Sequence, residues 1–216
     1  MDILSAVIFL VVFLYSVILH EVAHGFVAFY FGDDTAKVSG RLSLNPISHI
    51  DPVGSLLVPA LLFFSHTGLL FGWAKPVPVN PYRLKNGKVA YRYVSLAGVT
   101  VNLLLAIAGA LVFKLATQNF GLGENNLGVL VFTTLFQINL VLAIFNILPL
   151  PGFDGWNFLS TFSPVASLIQ MTPLANPVIM AQYGLIISIF LVFLLMPVIS
   201  QIFYFAVALF SLIFGI

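Results

Sequence analysis

The sequence predicts an all-α polytopic membrane protein with five to six transmembrane segments and a short re-entrant strand or loop region. Three observations carry this. Apolar residues fill 61% of the 216 positions and charged residues only 7%, whereas an ordinary globular domain is about a quarter charged. The mean hydropathy is +1.11. Several apolar runs also exceed the roughly 20 residues that a helix needs to cross a bilayer. The net charge of +1 says little, because the placement of Lys and Arg, not their sum, sets orientation. With no cysteine in the chain, disulfides, thiolate metal sites and cysteine nucleophiles are excluded.

The first element, Ile3 to Phe31, is 29 residues long, about 44 Å as a helix against a hydrocarbon core of roughly 30 Å. It can span with tilt. It has no basic n-region and carries His-Glu in its interior, so it reads as a retained segment, not as a signal peptide. Within it lies His20-Glu21-Val22-Ala23-His24. Residues four apart share a helical face, so two imidazoles can meet one metal with Glu21 beside them, the H-E-x-x-H zinc pattern. Zinc takes imidazole nitrogen and keeps a position open for water, which the carboxylate can deprotonate. Ionisable side chains inside apolar spans are expensive and mark function.

Gly32-Asp33-Asp34 ends this element. The polar stretch after it contains an alternation, Val38 to Leu44, that predicts a short strand before a turn at Asn45-Pro46. His49 and His66 lack a partner at helical spacing and read as hydrogen-bonded or interfacial histidines. Val53 to Phe71 is apolar but interrupted by Gly54, Pro59, His66 and Gly68, which predicts entry and return on one side instead of a crossing. The prolines of Gly72 to Pro81 exclude a helix and suit an extended segment with an unpaired edge. Lys75, Arg83, Lys85, Lys88 and Arg92 then place this loop in the cytoplasm. A nucleic-acid or lipid patch is the weaker reading of so short a run beside spans.

A further span is predicted from Tyr93 to about Ala116, opening with Ala97-Gly98-Val99-Thr100-Val101-Asn102, whose small residues permit close helix packing. Asn102 is either interhelical glue or part of the site. The loop at Gly121, Gly123 and Glu124 leads to the next span, about Asn126 to Leu148. Its end, Asn146-Ile147-Leu148-Pro149-Leu150-Pro151-Gly152-Phe153-Asp154-Gly155, breaks the helix and presents the only acidic residue after Glu124. Broken backbone at membrane depth belongs where protein shelters it or a cavity needs it. Asp154 is the natural third metal ligand, with a helix N-cap as the plainer role. Asn157 to Asn176 reads as an interfacial helix and loop. Pro177 to Leu195 and Val198 to Phe214, separated by Met196-Pro197, predict two closing spans without charge.

Taken in order, these motifs resemble the site-2 protease family of intramembrane zinc metalloproteases. His20-Glu21-x-x-His24 is similar to the family's first zinc motif, Ala97-Gly98-x-x-x-Asn102 to its small-residue helix, and Phe145-Asn146-x-x-Pro149-x-Pro151-x-x-Asp154-Gly155 to its second zinc motif. The resemblance covers about residues 10 to 160. It implies that His20, His24 and Asp154 hold one zinc, that Glu21 activates water, and that Asn146 contacts the scissile peptide or its oxyanion; Asn102 is a second candidate for substrate contact. It also implies cleavage of a transmembrane substrate near the cytosolic face. Val99 stands where many relatives carry Pro, which puts the local helix start in question.

On this reading residues 1–216 form one integral membrane domain, with a catalytic core at about 3–160 and C-terminal helices at about 177–214, and with neither a PDZ insertion nor an appended regulatory domain. Expected partners are a transmembrane protein substrate and the lipid bilayer, with no nucleic acid; a homo-oligomer is compatible with the pattern. The expected place is the cell membrane, with the site towards the cytoplasm. A helical substrate would have to unwind and add as a strand along Val38–Leu44 or Ala74–Asn80. The rival functions are a silent helix-binding relative, which the intact Glu21 opposes, and an ion transporter, which would call for repeats that are not visible.

Overall fold

The computed structural model describes residues 3–57, 61, 75–123 and 125–214. Among them the chain is helical, with no strand, and four helices are long and apolar enough to cross a membrane. The protein is an all-α polytopic membrane protein.

Helix α1 (Ile3–Tyr30) is built from an almost unbroken apolar run. A single helical turn, α2 (Thr35–Val38), follows. Helix α3 (Gly87–Lys114) continues into a π-helical turn at Leu115–Asn119, and α4 (Leu127–Asn146) runs back beside it. Two short helices, α5 (Asp154–Ser160) and α6 (Ser163–Gln170), lead to the long α7 (Pro177–Phe214). The centre is formed by α1, α3 and α4. Gly109 makes the α3–α4 approach feasible: a Cβ there would lie 2.8 Å from the backbone nitrogen of Phe136.

The molecule is apolar outside and polar within. Leu10, Leu14, Phe190 and Phe193 face outward, while Ser16, His20, His24, Asn102, Asn139 and Asp154 are buried. That inverts a soluble protein and suits a lipid solvent, where apolar surface costs nothing and polar groups must find partners inside.

Several expectations change. Val38–Leu44 is not a strand. The Asp33 carboxylate accepts from the Thr35 backbone N–H at 3.1 Å and from its hydroxyl, which nucleates α2, and Gly40 then turns the chain with φ +67°. The helix of Ala97–Asn102 begins earlier than Tyr93, at Gly87. Its first turns carry Lys88 and Arg92, whose long side chains can reach polar surroundings from a helix end. The helix runs through Val99 without a break, so no proline is needed to start it. The two closing runs are one 38-residue helix with Pro197 inside it. A proline in an apolar helix loses one backbone hydrogen bond, a defect that membrane helices tolerate.

The re-entrant reading of Val53–Phe71 falls largely outside the described residues; Pro52–Leu57 forms a π-helical turn. His66, Glu124 and residues 72–74 lie outside them too. Lys75–Asn80 has no regular secondary structure and runs as a strap across the end of α1. The N–H groups of Lys75, Val77 and Asn80 are bonded to the His49 carbonyl, Glu21 and Asp33, and Pro76 and Pro78 have none. Of the N–H groups of the strap only that of Val79 is left to offer, so an edge here would present chiefly carbonyl oxygens.

Candidate metal centre

One helical turn separates His20 from His24, so α1 presents both rings on its inner face, edge to face with centroids 4.7 Å apart. Their Nε2 atoms lie 3.1 Å apart. Asp154 completes the group: Oδ2 lies 3.3 Å from His20 Nε2 and Oδ1 3.3 Å from His24 Nε2. A tetrahedral zinc with bonds of about 2.0 Å holds its ligand atoms about 3.3 Å apart. The two Nε2 atoms stand at about that spacing, and each has one carboxylate oxygen of Asp154 at 3.3 Å, so the three side chains converge closely enough to hold one ion. Asp154 Oδ2 is also buried without a hydrogen-bond partner, a cost that a cation would remove. Two imidazoles and a carboxylate are a zinc donor set that leaves a fourth position for water. The residues fit the metal.

Asp154 reaches this place because the chain breaks after α4. Ile147 N–H still bonds back to Ala143, Phe153 N–H donates to the Leu150 carbonyl at 3.0 Å, and Gly152 turns with φ +89°. Gly155 lets the turn close, since a Cβ there would sit 2.0 Å from the Ile147 carbonyl oxygen. The Ser188 hydroxyl of α7 donates to the Pro151 carbonyl. Arg92 of α3 ties in the far end of α5, with Nε donating to Thr161 Oγ1 at 2.8 Å and its guanidinium over the Phe162 ring at 4.0 Å. Asp154 is the first residue of α5 and Phe153 holds the N-cap position, so the capping role read from the sequence falls one residue earlier.

The second nitrogen of each imidazole is held. His20 Nδ1 lies 2.6 Å from Asn102 Oδ1, and His24 Nδ1 lies 2.7 Å from the Val94 carbonyl. When both donate, Nε2 keeps its lone pair for a metal, the usual outer-shell arrangement of metal-binding histidines. Gly98 lies between them, where a Cβ would fall 2.4 Å from His20 Cε1 and 2.5 Å from His24 Nε2. The small residues of α3 therefore make room for the rings.

Glu21 is half-buried, and its Oε2 accepts from the Val77 N–H at 2.8 Å. Two hydrogen bonds from Arg41 Nη2, to the Lys75 carbonyl and, at 3.3 Å, to that of Pro76, hold the strap that carries Val77. Asn146, half-buried at the end of α4, donates from Nδ2 to the Leu142 carbonyl at 2.9 Å. Asn102 is fully buried and bonded to His20 and Asn139. His49 stands apart, bonded to the Ser43 carbonyl at 2.7 Å. The sequence reading missed Asn139. Its only signal was an amide in the middle of an apolar span, where polar groups are costly. The Val94 carbonyl had no signal, since backbone groups carry none.

The chain is 38% identical over 191 residues to "Putative zinc metalloprotease YwhC" of Bacillus subtilis (strain 168), covering 84% of this chain and 77% of that one. It is 35% identical over 147 residues to "Putative zinc metalloprotease Rip2" of Mycobacterium tuberculosis (strain ATCC 25618 / H37Rv), covering 66% and 52%. Rip2 of Mycolicibacterium smegmatis is 33% identical over 151 residues, covering 68% and 53%. The matched region thus spans about half the length of the mycobacterial relatives. No family model matches the chain, and no solved structure matches it significantly.

Proposed function

The chain belongs to the family of zinc metalloproteases that includes YwhC, and from that premise we propose that it is an intramembrane zinc endopeptidase of the site-2 type. Its substrate on this reading is a membrane protein, cut in or near a transmembrane segment. The observation that carries the proposal is the meeting of His20, His24 and Asp154 beside Glu21 in a helix apolar enough to span. Seven of the eight basic residues lie between 32 and 92, which supports a site at the cytoplasmic end of the bundle in a cell membrane.

His20, His24 and Asp154 are the ligands in this mechanism. Zinc bound there supplies a Lewis acid and lowers the pKa of a water towards about 7. Glu21 takes the proton of the attacking water and returns it to the leaving amine. Val77 N–H fixes one carboxylate oxygen of Glu21, leaving the other to meet the water. On this reading Asn146, at the end of α4, donates to the substrate carbonyl or oxyanion once its amide leaves Leu142. A donor of that kind is worth about 10²–10³ in rate.

Zinc content and cleavage of a membrane-protein substrate by the purified protein test the reading. Glu21→Gln is expected to keep one zinc per chain and lose cleavage, because Glu21 moves protons without holding the metal. His20→Ala loses both. Cleavage retained by Glu21→Gln overturns the assignment.

A further inference from the structure

We propose that Asn139 is a positioning residue which, through Asn102, sets the tautomer of His20 so that Nε2 is free to hold zinc. The inference rests on His20 being a zinc ligand. It starts at a group that cannot change its role, the Leu135 carbonyl, which only accepts. The Asn139 atom 2.9 Å from it must be the amide nitrogen, which also donates to Ser16 Oγ at 2.8 Å. Asn139 Oδ1 is thereby turned towards Asn102, 2.8 Å away, and requires an N–H from it. Asn102 must present Nδ2 to Asn139 and Oδ1 to His20 Nδ1, at 2.6 Å. That oxygen requires a proton on Nδ1. The lone pair is then on Nε2, the nitrogen that faces His24 and Asp154.

Asn102 alone does not settle this. An amide can turn over and present either end, and a flipped Asn102 would offer N–H to Nδ1, moving the ring proton to Nε2 and into the metal's place. Asn139 removes that alternative. Asn102 and Asn139 are 0% exposed and Ser16 1%, so bulk water cannot satisfy a flipped amide. The other ligand supplies the contrast. His24 Nδ1 faces a backbone carbonyl, Val94, at 2.7 Å, which cannot turn over and needs no second residue behind it.

The test measures zinc affinity by chelator competition, together with the melting temperature of the zinc-free protein. Asn139→Leu removes the acceptor and is expected to weaken zinc binding about 10–100-fold, the usual cost of losing an outer-shell partner. A carboxylate at 102 accepts from Nδ1 whichever way it turns, so Asn139→Leu should cost little zinc affinity in an Asn102→Asp background; a merely structural Asn139 would cost the same in both backgrounds. Should Asn139→Leu not fold, Asn139→Ser replaces it, because a serine hydroxyl bonds back to Leu135 and is too short to reach Asn102. Wild-type affinity in Asn139→Leu or Asn139→Ser, or an undiminished loss from Asn139→Leu in the Asn102→Asp background, overturns the proposal. The parent reading fails separately, if His20→Ala binds zinc as wild type does.

Discussion

At the residue scale, the two imidazoles owe their room to a missing methyl group. Gly98 lets α3 lie against both imidazoles, and Gly98→Ala would place a carbon 2.4–2.5 Å from three of their atoms. The rings cannot yield while Asn102 and Val94 hold them, so the helices must part. The expected outcome is a loss of about 1–3 kcal/mol, as for other overpacked sites, with zinc content falling in step; thermal melting with metal analysis checks both. The expected ligands were legible because side-chain chemistry at a fixed spacing is written in the sequence, as with His20 and His24, or because a lone carboxylate follows a broken helix, as with Asp154. Asn139 was not. Its meaning depends on a neighbour 37 positions away, and in the sequence an amide in an apolar helix looks the same whether it glues helices or aims a ligand.

At the element scale, the strap at Lys75–Asn80 acts through Glu21. Asp33 anchors its far end: Oδ2 accepts from the Asn80 N–H at 2.6 Å, and Oδ1 from Thr35. Burial pulls the Asp33 carboxyl up, but the hydrogen bonds from Thr35 and Asn80, with Arg83 nearby, outweigh it and hold the group below its ordinary value. A carboxyl lowered by folding stabilises fully above its unfolded pKa, near 3.9, and that contribution is lost as pH falls through the folded value. Amide exchange at Val77 and Asn80 is therefore expected to be slow at neutral pH and to lose protection under acid. Asp33→Asn should lack that acid step, because its amide does not titrate in this range. The alternation at Val38–Leu44 predicted a strand because a two-residue period was read without its cap, although Asp33 stood in the right place to start a helical turn. The closing helix was divided at Met196-Pro197 by a rule for water-soluble helices. In lipid, a helix loses more by opening than by carrying one proline.

At the scale of the whole molecule, the metal sets the topology. His20, His24 and Asp154 can share an ion only at one depth, and α1 and α4 must then end on the same face. The contacts outside the spans agree. Lys85 N–H donates to the Phe31 carbonyl at 2.8 Å, and Arg83 pairs with Asp34, so the end of α1 and the start of α3 share one end of the bundle. Lys75 N–H reaches the His49 carbonyl at 2.9 Å, which places both flanks of residues 50–74 at that end. A single crossing between those flanks would separate them by the bilayer core, about 30 Å. The turn between α3 and α4 lies at the opposite end, one helix length away. Seven of eight basic residues fall at the first end, and on the proposed reading this end faces the cytoplasm. The chain has no native cysteine, so single cysteines at Asp34, Lys85 and Asn125 report orientation without background. Positions 34 and 85 are expected to label from the cytoplasmic face and 125 from the other. Labelling of 34 and 85 from opposite faces would require one crossing between them and would carry Asp154 away from the histidines, which the spacing of 3.3 Å does not permit.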